Sequence, residues 1–340
     1  WMDLTWVTGA ILASYSFSEK GKLDVRLFSV IGDRNSVGFL RPITVKDSIQ
    51  PQSLAYTNRT VDIDKYRNAG MEARLIRHFM VGDRQQTFSG GVRLYTGTTS
   101  RFRDGKGTEG SGYEMQRVEP RWPREIDFTS KNAAIFAEQI VRFSGRFLLV
   151  PGFRYEYLKA EAGGIDRYDP NGDPVFLSNE QRKRGFLLWG AGAEYHTNNG
   201  AEVYANITRA YRPIQFADLT VPPTTDEVDP SIKDATGFNA DLGYRGKWKD
   251  ILYFDISAFL LRYNDRIGVI TQQRANGTFY NYRTNVGNSR SSGIEAYAEV
   301  KPLNIKGAAG NAFDLSLFIS YAYTQAVYDR FQVITKNGSN

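Results

Sequence analysis

The stretch NAAIFAEQIVRFSGRFLLVPGFRYEY, residues 132 to 157, alternates with period two, and few folds accept such a segment. Its odd positions are Ala133, Ile135, Ala137, Val141 and Phe143, then Phe147, Leu149, Phe153, Tyr155 and Tyr157; its even positions include Glu138, Arg142, Arg154 and Glu156. Successive side chains of a β-strand point to opposite faces, so each half is a strand with one oily and one charged face. A loop of Ser144-Gly145-Arg146, with Phe143 opposite Phe147, keeps both oily faces on one side and so specifies a hairpin. In that register Glu138 lies diagonal to Arg154 on the polar face. Pro151 would forfeit a ladder hydrogen bond and is expected at a bulge. The oily face ends in aromatics, which is the pattern of a wall turned towards lipid.

The same unit recurs along the chain. Residues 5 to 17 and 23 to 33 pair across Ser18–Lys22, and 69 to 80 and 86 to 99 pair across Val81–Gln85. Residues 186 to 196 and 202 to 212 meet at Thr197–Gly200, and 238 to 246 and 251 to 264 turn at Lys247–Asp250; a last pair ends near Val300 and resumes near Phe313. The intervening connections are long: 34 to 67, 101 to 130, 163 to 184 and the proline-rich 213 to 237. Roughly twelve strands with short turns at one end and long loops at the other describe a transmembrane antiparallel β-barrel, turns periplasmic and loops extracellular. Leu252, Phe254, Ile256, Ala258 and Leu260 alternate with Tyr253, Asp255 and Ser257, which repeats the two-faced pattern. Gln139 and Arg209 fall on the oily parity, and Arg209 is expected to snorkel.

Composition agrees with such a barrel. Hydrophobic residues make up 41%, mean hydropathy is -0.43, and 20 Tyr and 21 Phe are present. No run approaches the roughly 18 apolar residues of a spanning helix, whereas a barrel hides from hydropathy because every second residue faces a polar interior. The opening WMDLTWVTGAILASYSF lacks a basic start and reads as a strand, not a signal peptide. Cysteine is absent, which removes disulfides and thiol catalysis. The 43 basic and 37 acidic residues are interspersed without a basic stripe, so no nucleic-acid partner is expected.

The runs YANITRAYRPIQFADLT, DEVDPSIKDATGFNADLGYRG, YFDISAFLLRYNDRIGVI and NVGNSRSSGIEAYAEV, between Val203 and Val300, closely resemble the barrel of TonB-dependent outer-membrane receptors, specifically the iron(III) dicitrate receptor-like group. FAEQIVRFSGRFLLVPGFRYEY resembles a strand pair common across that superfamily. The resemblance implies a barrel of about 22 strands closed by an N-terminal plug. It implies a ferric siderophore bound from outside and imported with energy from the TonB-ExbB-ExbD complex, with no cofactor and no enzymatic step. It places the protein in the outer membrane of a Gram-negative bacterium, among lipopolysaccharide and outer-membrane lipid. Against that pattern residues 1 to 340 are expected to be the middle of the barrel, with the plug, its TonB box and the C-terminal strands absent. A receptor for another siderophore, cobalamin or a glycan stays open, as does a plug-free porin or adhesin. A soluble all-β hydrolase would instead require the oily faces to meet in a core.

Ferric citrate is anionic, and arginine offers planar forks that match carboxylates. Loop 101 to 130 supplies Arg101, Arg103, Lys106, Arg117, Arg121 and Arg124, and the fourth long loop begins with Arg212 and Gln215. Of these Arg101, Arg103, Arg117, Arg121, Arg212 and Gln215 are the ligand candidates, each set against the plainer role of a solvated loop residue. His78 and His196 both precede short turns at the periplasmic rim, and converging metal ligands are not apparent beside them in the sequence. The interior carboxylates Glu138, Glu156, Glu194, Asp241, Asp255, Glu295 and Glu299 are interspersed with Arg74, Arg93, Arg142, Arg154 and Arg245, a pattern of ion pairing. Tyr15, Phe17, Phe79, Phe143, Phe147, Tyr211 and Tyr323 are expected in interfacial girdles.

Overall fold

The structure, a computed structural model, describes residues 1–41, 45–110, 112–177, 180–214, 226–274, 277–302 and 315–331. Among them fourteen strands run in chain order: β1 (Met2–Ser18), β2 (Gly21–Gly38), β3 (Thr60–Val81), β4 (Arg84–Lys106), β5 (Arg124–Arg142), β6 (Phe147–Tyr168), β7 (Pro174–Phe176), β8 (Glu180–His196), β9 (Glu202–Arg212), β10 (Asp226–Val228), β11 (Ala235–Trp248), β12 (Leu252–Gln273), β13 (Phe279–Val300) and β14 (Leu317–Phe331). The long strands follow one another as antiparallel neighbours, with β7 and β10 as three-residue additions on β6 and β13. No helix among the described residues is long and apolar enough to cross a membrane.

The expected hairpins form. Phe143 donates its N–H to the Phe147 carbonyl at 3.0 Å and the two rings stack at 5.6 Å, so the three-residue loop and its parity are as the alternation required. Glu138 lies against Gly152, which agrees with the same register. On β11 and β12 the pairing Trp248↔Leu252 continues without a shift to Thr236↔Asn264. Ile135, Phe153, Tyr155, Leu187, Trp189, Leu242, Ile256, Ile294 and Ile319 all remain exposed. Among the described residues these oily faces stay exposed, as a lipid-facing wall requires and unlike the packed core that the soluble all-β alternative expects.

The strands are longer outward than the alternation suggests. β3 has 22 residues and β4 has 23, whereas a crossing takes about 9–11. The connections read as 34 to 67 and 101 to 130 therefore shrink to 39–59 and 107–123, because β2, β3, β4 and β5 run on beyond the bilayer. There lipid no longer imposes alternation, and the ladder is extended by backbone pairing together with buried side chains such as Val61, Asp64 and Ile126.

The chain divides into two compact units. The first comprises residues 1–76, 90–136 and 155–186, and its buried side chains, Val37, Val61, Asp64, Ile126 and Phe128, gather near the outer ends of its strands. The second comprises 77–89, 137–154 and 187–340, and buries Ile214, Ile232, Ala235, Thr284 and Val286 beside its own long connections. Arg209 in the second unit donates to the Leu187 carbonyl at 3.0 Å, which gives its guanidinium a polar partner on the oily face.

Candidate functional site

In the first unit Asp64 is the pivot. Its side chain is fully buried, and it receives Arg103 at 2.8 Å, Arg101 Nε at 3.3 Å and Arg34 Nε at 3.3 Å, with the Tyr66 hydroxyl also at 3.3 Å. A buried carboxylate is tolerated only when such partners surround it. Arg101 and Arg103 were read as loop residues; they stand on β4, on the face shared by Arg93 and Tyr95, and Asp64 fixes them there. Arg101 also lies 5.3 Å over the Phe128 ring.

Arg117 and Arg121 belong to the connection itself. The segment 107–123 folds back on the strand ends: Gly107 bridges Arg117, the Val118 N–H donates to the Lys106 carbonyl at 2.9 Å, and Lys106 pairs with Glu119 at 2.7 Å. Arg117 lies 4.1 Å over the Trp122 ring and donates to the carbonyls of Glu119 and Pro120 at 3.1 and 3.0 Å. Arg121 lies 4.6 Å over Tyr168 and donates to the Gly172 carbonyl at 3.4 Å. Among the described residues neither meets a carboxylate, so both keep an unneutralised charge on an oriented plane. Arg124, by contrast, pairs with Asp166 at 3.1 Å. Trp122 in turn lies over Gly105, where a Cβ would collide with its ring. Arg59, only 4% exposed, anchors the loop from beneath by donating to the Gly110 carbonyl at 2.7 Å and pairing with Asp47 at 2.9 Å. Neither Arg59 nor Trp122 was picked out from the sequence, since an isolated arginine or tryptophan in a loop carries no periodic signal.

In the second unit Arg212 ends β9 opposite Ala235 and lines a cleft of about 290 Å³ with Asn239, Arg262, Tyr263 and Arg266. Gln215 lies outside the described residues. The connection before β11 is organised by Asp229. Its carboxylate accepts from the Ser231 N–H and hydroxyl at 2.8 and 2.6 Å and from the Thr284 hydroxyl at 2.5 Å. Those bonds, Ser231 first and Thr284 next, hold its pKa below the ordinary carboxylate value. Asp234 likewise accepts from Tyr211 at 2.5 Å and from the Ile214 N–H at 2.8 Å.

The sequence matches the TonB dependent receptor-like β-barrel family over residues 3–340. The chain belongs to the TonB-dependent receptors. This is a family of Gram-negative outer-membrane barrels made up of receptors and transporters, not enzymes. No curated protein matches the sequence. Among solved structures the ferric citrate transporter FecA, in its unliganded form, superposes with a TM-score of 0.65 at 17% identity, covering 96% of this chain and 43% of its own. The ferric-catecholate import receptor Fiu from Escherichia coli K12 gives 0.65 at 14% identity, with 99% and 49% covered. The siderophore receptor PiuA from Acinetobacter baumannii gives 0.67 at 13% identity, again with 99% and 49% covered. At these identities the likeness shows the TonB-dependent receptor fold, and the chain spans less than half the length of each of these three.

Proposed function

We propose that the chain is the central part of the barrel of a receptor that takes up an anionic iron(III) chelate of the dicitrate type and delivers it to the periplasm. The observation that carries this is the pair Arg117 and Arg121. Each guanidinium lies over an aromatic ring, is anchored by carbonyls and meets no carboxylate among the described residues, which suits it to a ligand rich in carboxylates. Arg101 and Arg103 contribute positive potential from behind Asp64 and do not act as free forks. Arg212 and Gln215 stand as candidates on the sequence reading alone, and the proposed site is confined to Arg117 and Arg121. FecA, named for ferric citrate, supports the dicitrate choice within a group whose other members are named for catecholates, copper and pyoverdine.

The wider reading places the plug and the closing strands outside residues 1 to 340 and draws energy from TonB-ExbB-ExbD through that plug. Lipopolysaccharide is the proposed neighbour outside: Lys65, Arg67, Lys131 and Lys159 share the parity of the oily Leu75, Ile135 and Tyr157 and lie outward of them, at the height where lipid phosphates begin. The test is titration of the full-length receptor in detergent with iron(III) dicitrate, followed by tryptophan fluorescence, beside the double variant Arg117→Ala, Arg121→Ala. Saturable quenching, weakened at least about tenfold in the variant, is expected from the worth of charge-assisted hydrogen bonds. No binding by a folded receptor would remove citrate and turn the search to other siderophores, cobalamin or glycans. A full-length gene without a plug would point instead to a porin or adhesin.

A further inference from the structure

At the turn end of the second unit the chain gathers three metal-ligating side chains. His196 closes β8, and its N–H donates to the Arg146 carbonyl at 2.7 Å. The turn that follows is tied twice, by the Thr197 N–H and the Thr197 hydroxyl on the Ala201 carbonyl at 2.7 and 2.6 Å, and Gly200 takes φ +79 to close it. The ladder therefore sets His196 directly opposite Glu202, and Glu194, two residues earlier, falls on the same face. His196 Nδ1 is 3.3 Å from Glu202 Oε2, and Nε2 is 3.8 Å from Glu194 Oε2. One donor atom from each residue lies within 4.8 Å of the others.

Two features distinguish this cluster from ordinary surface pairing. The first is that each ring nitrogen of His196 has a carboxylate oxygen beside it, so whichever nitrogen offers a lone pair shares its place with an anionic oxygen, the donor pair that a cation takes. A metal ion takes one of those nitrogens: tetrahedral zinc with bonds of about 2.0–2.2 Å sets its ligand atoms roughly 3.4 Å apart, close to the 3.3 Å between Nδ1 and Glu202 Oε2, and Glu194, whose oxygen lies within 4.8 Å of both, closes in by a side-chain adjustment. The second feature is Arg245. Its Nε and terminal nitrogen both engage Oε1 of Glu202, which leaves Oε2 directed at the histidine. Metal-bound carboxylates are oriented by outer partners in the same way. Asp255 stands opposite Arg245 in the register and balances it, so Glu194 and Glu202 keep a net negative charge around the imidazole.

We propose that Glu194, His196 and Glu202 bind a divalent transition metal ion of the zinc type at the turn end of the β8–β9 hairpin, with Arg245 as the positioning residue. Three protein donors leave a fourth position for water. The site would staple the hairpin on the polar face, and it does not depend on which chelate the outer loops bind.

The test uses metal-stripped full-length receptor in detergent, dialysed against Zn²⁺, with Co²⁺ substitution as a spectroscopic readout. His196→Gln and Glu194→Gln should each bind one equivalent fewer than the parent and lose the visible Co²⁺ band of a four-coordinate site. His78→Gln is the control: its Nδ1 pairs with the Thr87 hydroxyl at 3.0 Å, and the stoichiometry should not change. Arg245→Gln should keep the stoichiometry while weakening affinity by about 10–100-fold. Equal stoichiometry and spectra in the parent and both ligand variants, with all of them folded by circular dichroism, would overturn the proposal and leave the three side chains as a cluster without a metal.

Discussion

The connection 107–123 and the connection that ends in 226–234 meet similar demands with opposite chemistry. In the first, the two arginines are held by aromatic faces and carbonyl oxygens, which fix a guanidinium without setting a carboxylate against it. In the second, carboxylates dominate, and nearby hydroxyls and backbone N–H groups saturate them. A loop whose polar groups satisfy one another has little left to offer a ligand. A loop whose cations rest on π-faces keeps its hydrogen-bonding edges, and for that reason the first carries the proposed binding role while the second serves to hold β11 and β13 together.

The most damaging change should be Asp64→Ala, which leaves Arg34, Arg101 and Arg103 around a buried gap. A loss of about 3–5 kcal/mol is expected from breaking a buried charge cluster on one side, read from denaturant unfolding of the full-length receptor. A loss below about 1 kcal/mol would mean that water reaches the cluster and that Asp64 does not organise the outer strand ends. Next comes Arg121→Ala alone, expected to raise the Kd for iron(III) dicitrate about tenfold with unfolding unchanged, as befits a charge that no protein carboxylate needs. Asp229→Asn should reverse that pattern. Ligand affinity should stay level while protease cleavage within 226–234 increases, and weakened ligand binding would erase the contrast between the two connections.

Acid should act on the second connection selectively. Because the folded-state pKa of Asp229 is depressed, its contribution is fully present above the ordinary carboxylate value and is lost as pH falls through the lower folded value. Pepsin cleavage between β10 and β11 should accordingly rise below about pH 4 in the parent and be flat across that range in Asp229→Asn. The smallest effect is reserved for Trp122→Leu. A cation–π contact at an exposed site is worth about 0.5–1 kcal/mol, so ligand affinity should drop less than about fivefold even as the fluorescence signal shrinks.

Where lipid imposes alternation, the sequence is readable: Ile135 to Phe143 and Leu252 to Leu260 show their strands, faces and turns without coordinates. Beyond the bilayer the constraint lapses. SRFRDGK, at the end of β4, has no apolar period, and Arg101 and Arg103 therefore read as loop although the ladder holds them. Their attachment to Asp64 spans 37 and 39 residues, a separation at which no local pattern speaks. The acidic neighbours of His196 were passed over in the sequence, although they lay closer to legible. The tight turn after His196 fixes which residue lies opposite it, and counting across it to Glu202 and back to Glu194 reaches the cluster without coordinates. The ion pairing expected of Arg245 was correct in kind, but its partner Glu202 emerged only with the register.

Trp122 lies over Gly105, a strand residue, and Arg117 lies over Trp122. The orientation of a charge in the loop is therefore inherited through two stacked layers from a hydrogen atom on the neighbouring strand. A methyl group at 105 would meet the indole and the Arg117 stem at once and so displace the guanidinium, although Gly105 itself offers no group to a ligand. Mutational sensitivity of chelate uptake should thus extend to a position that a map of ligand contacts would leave blank. Drift in the loop is tolerable wherever that small footprint on β4 is kept.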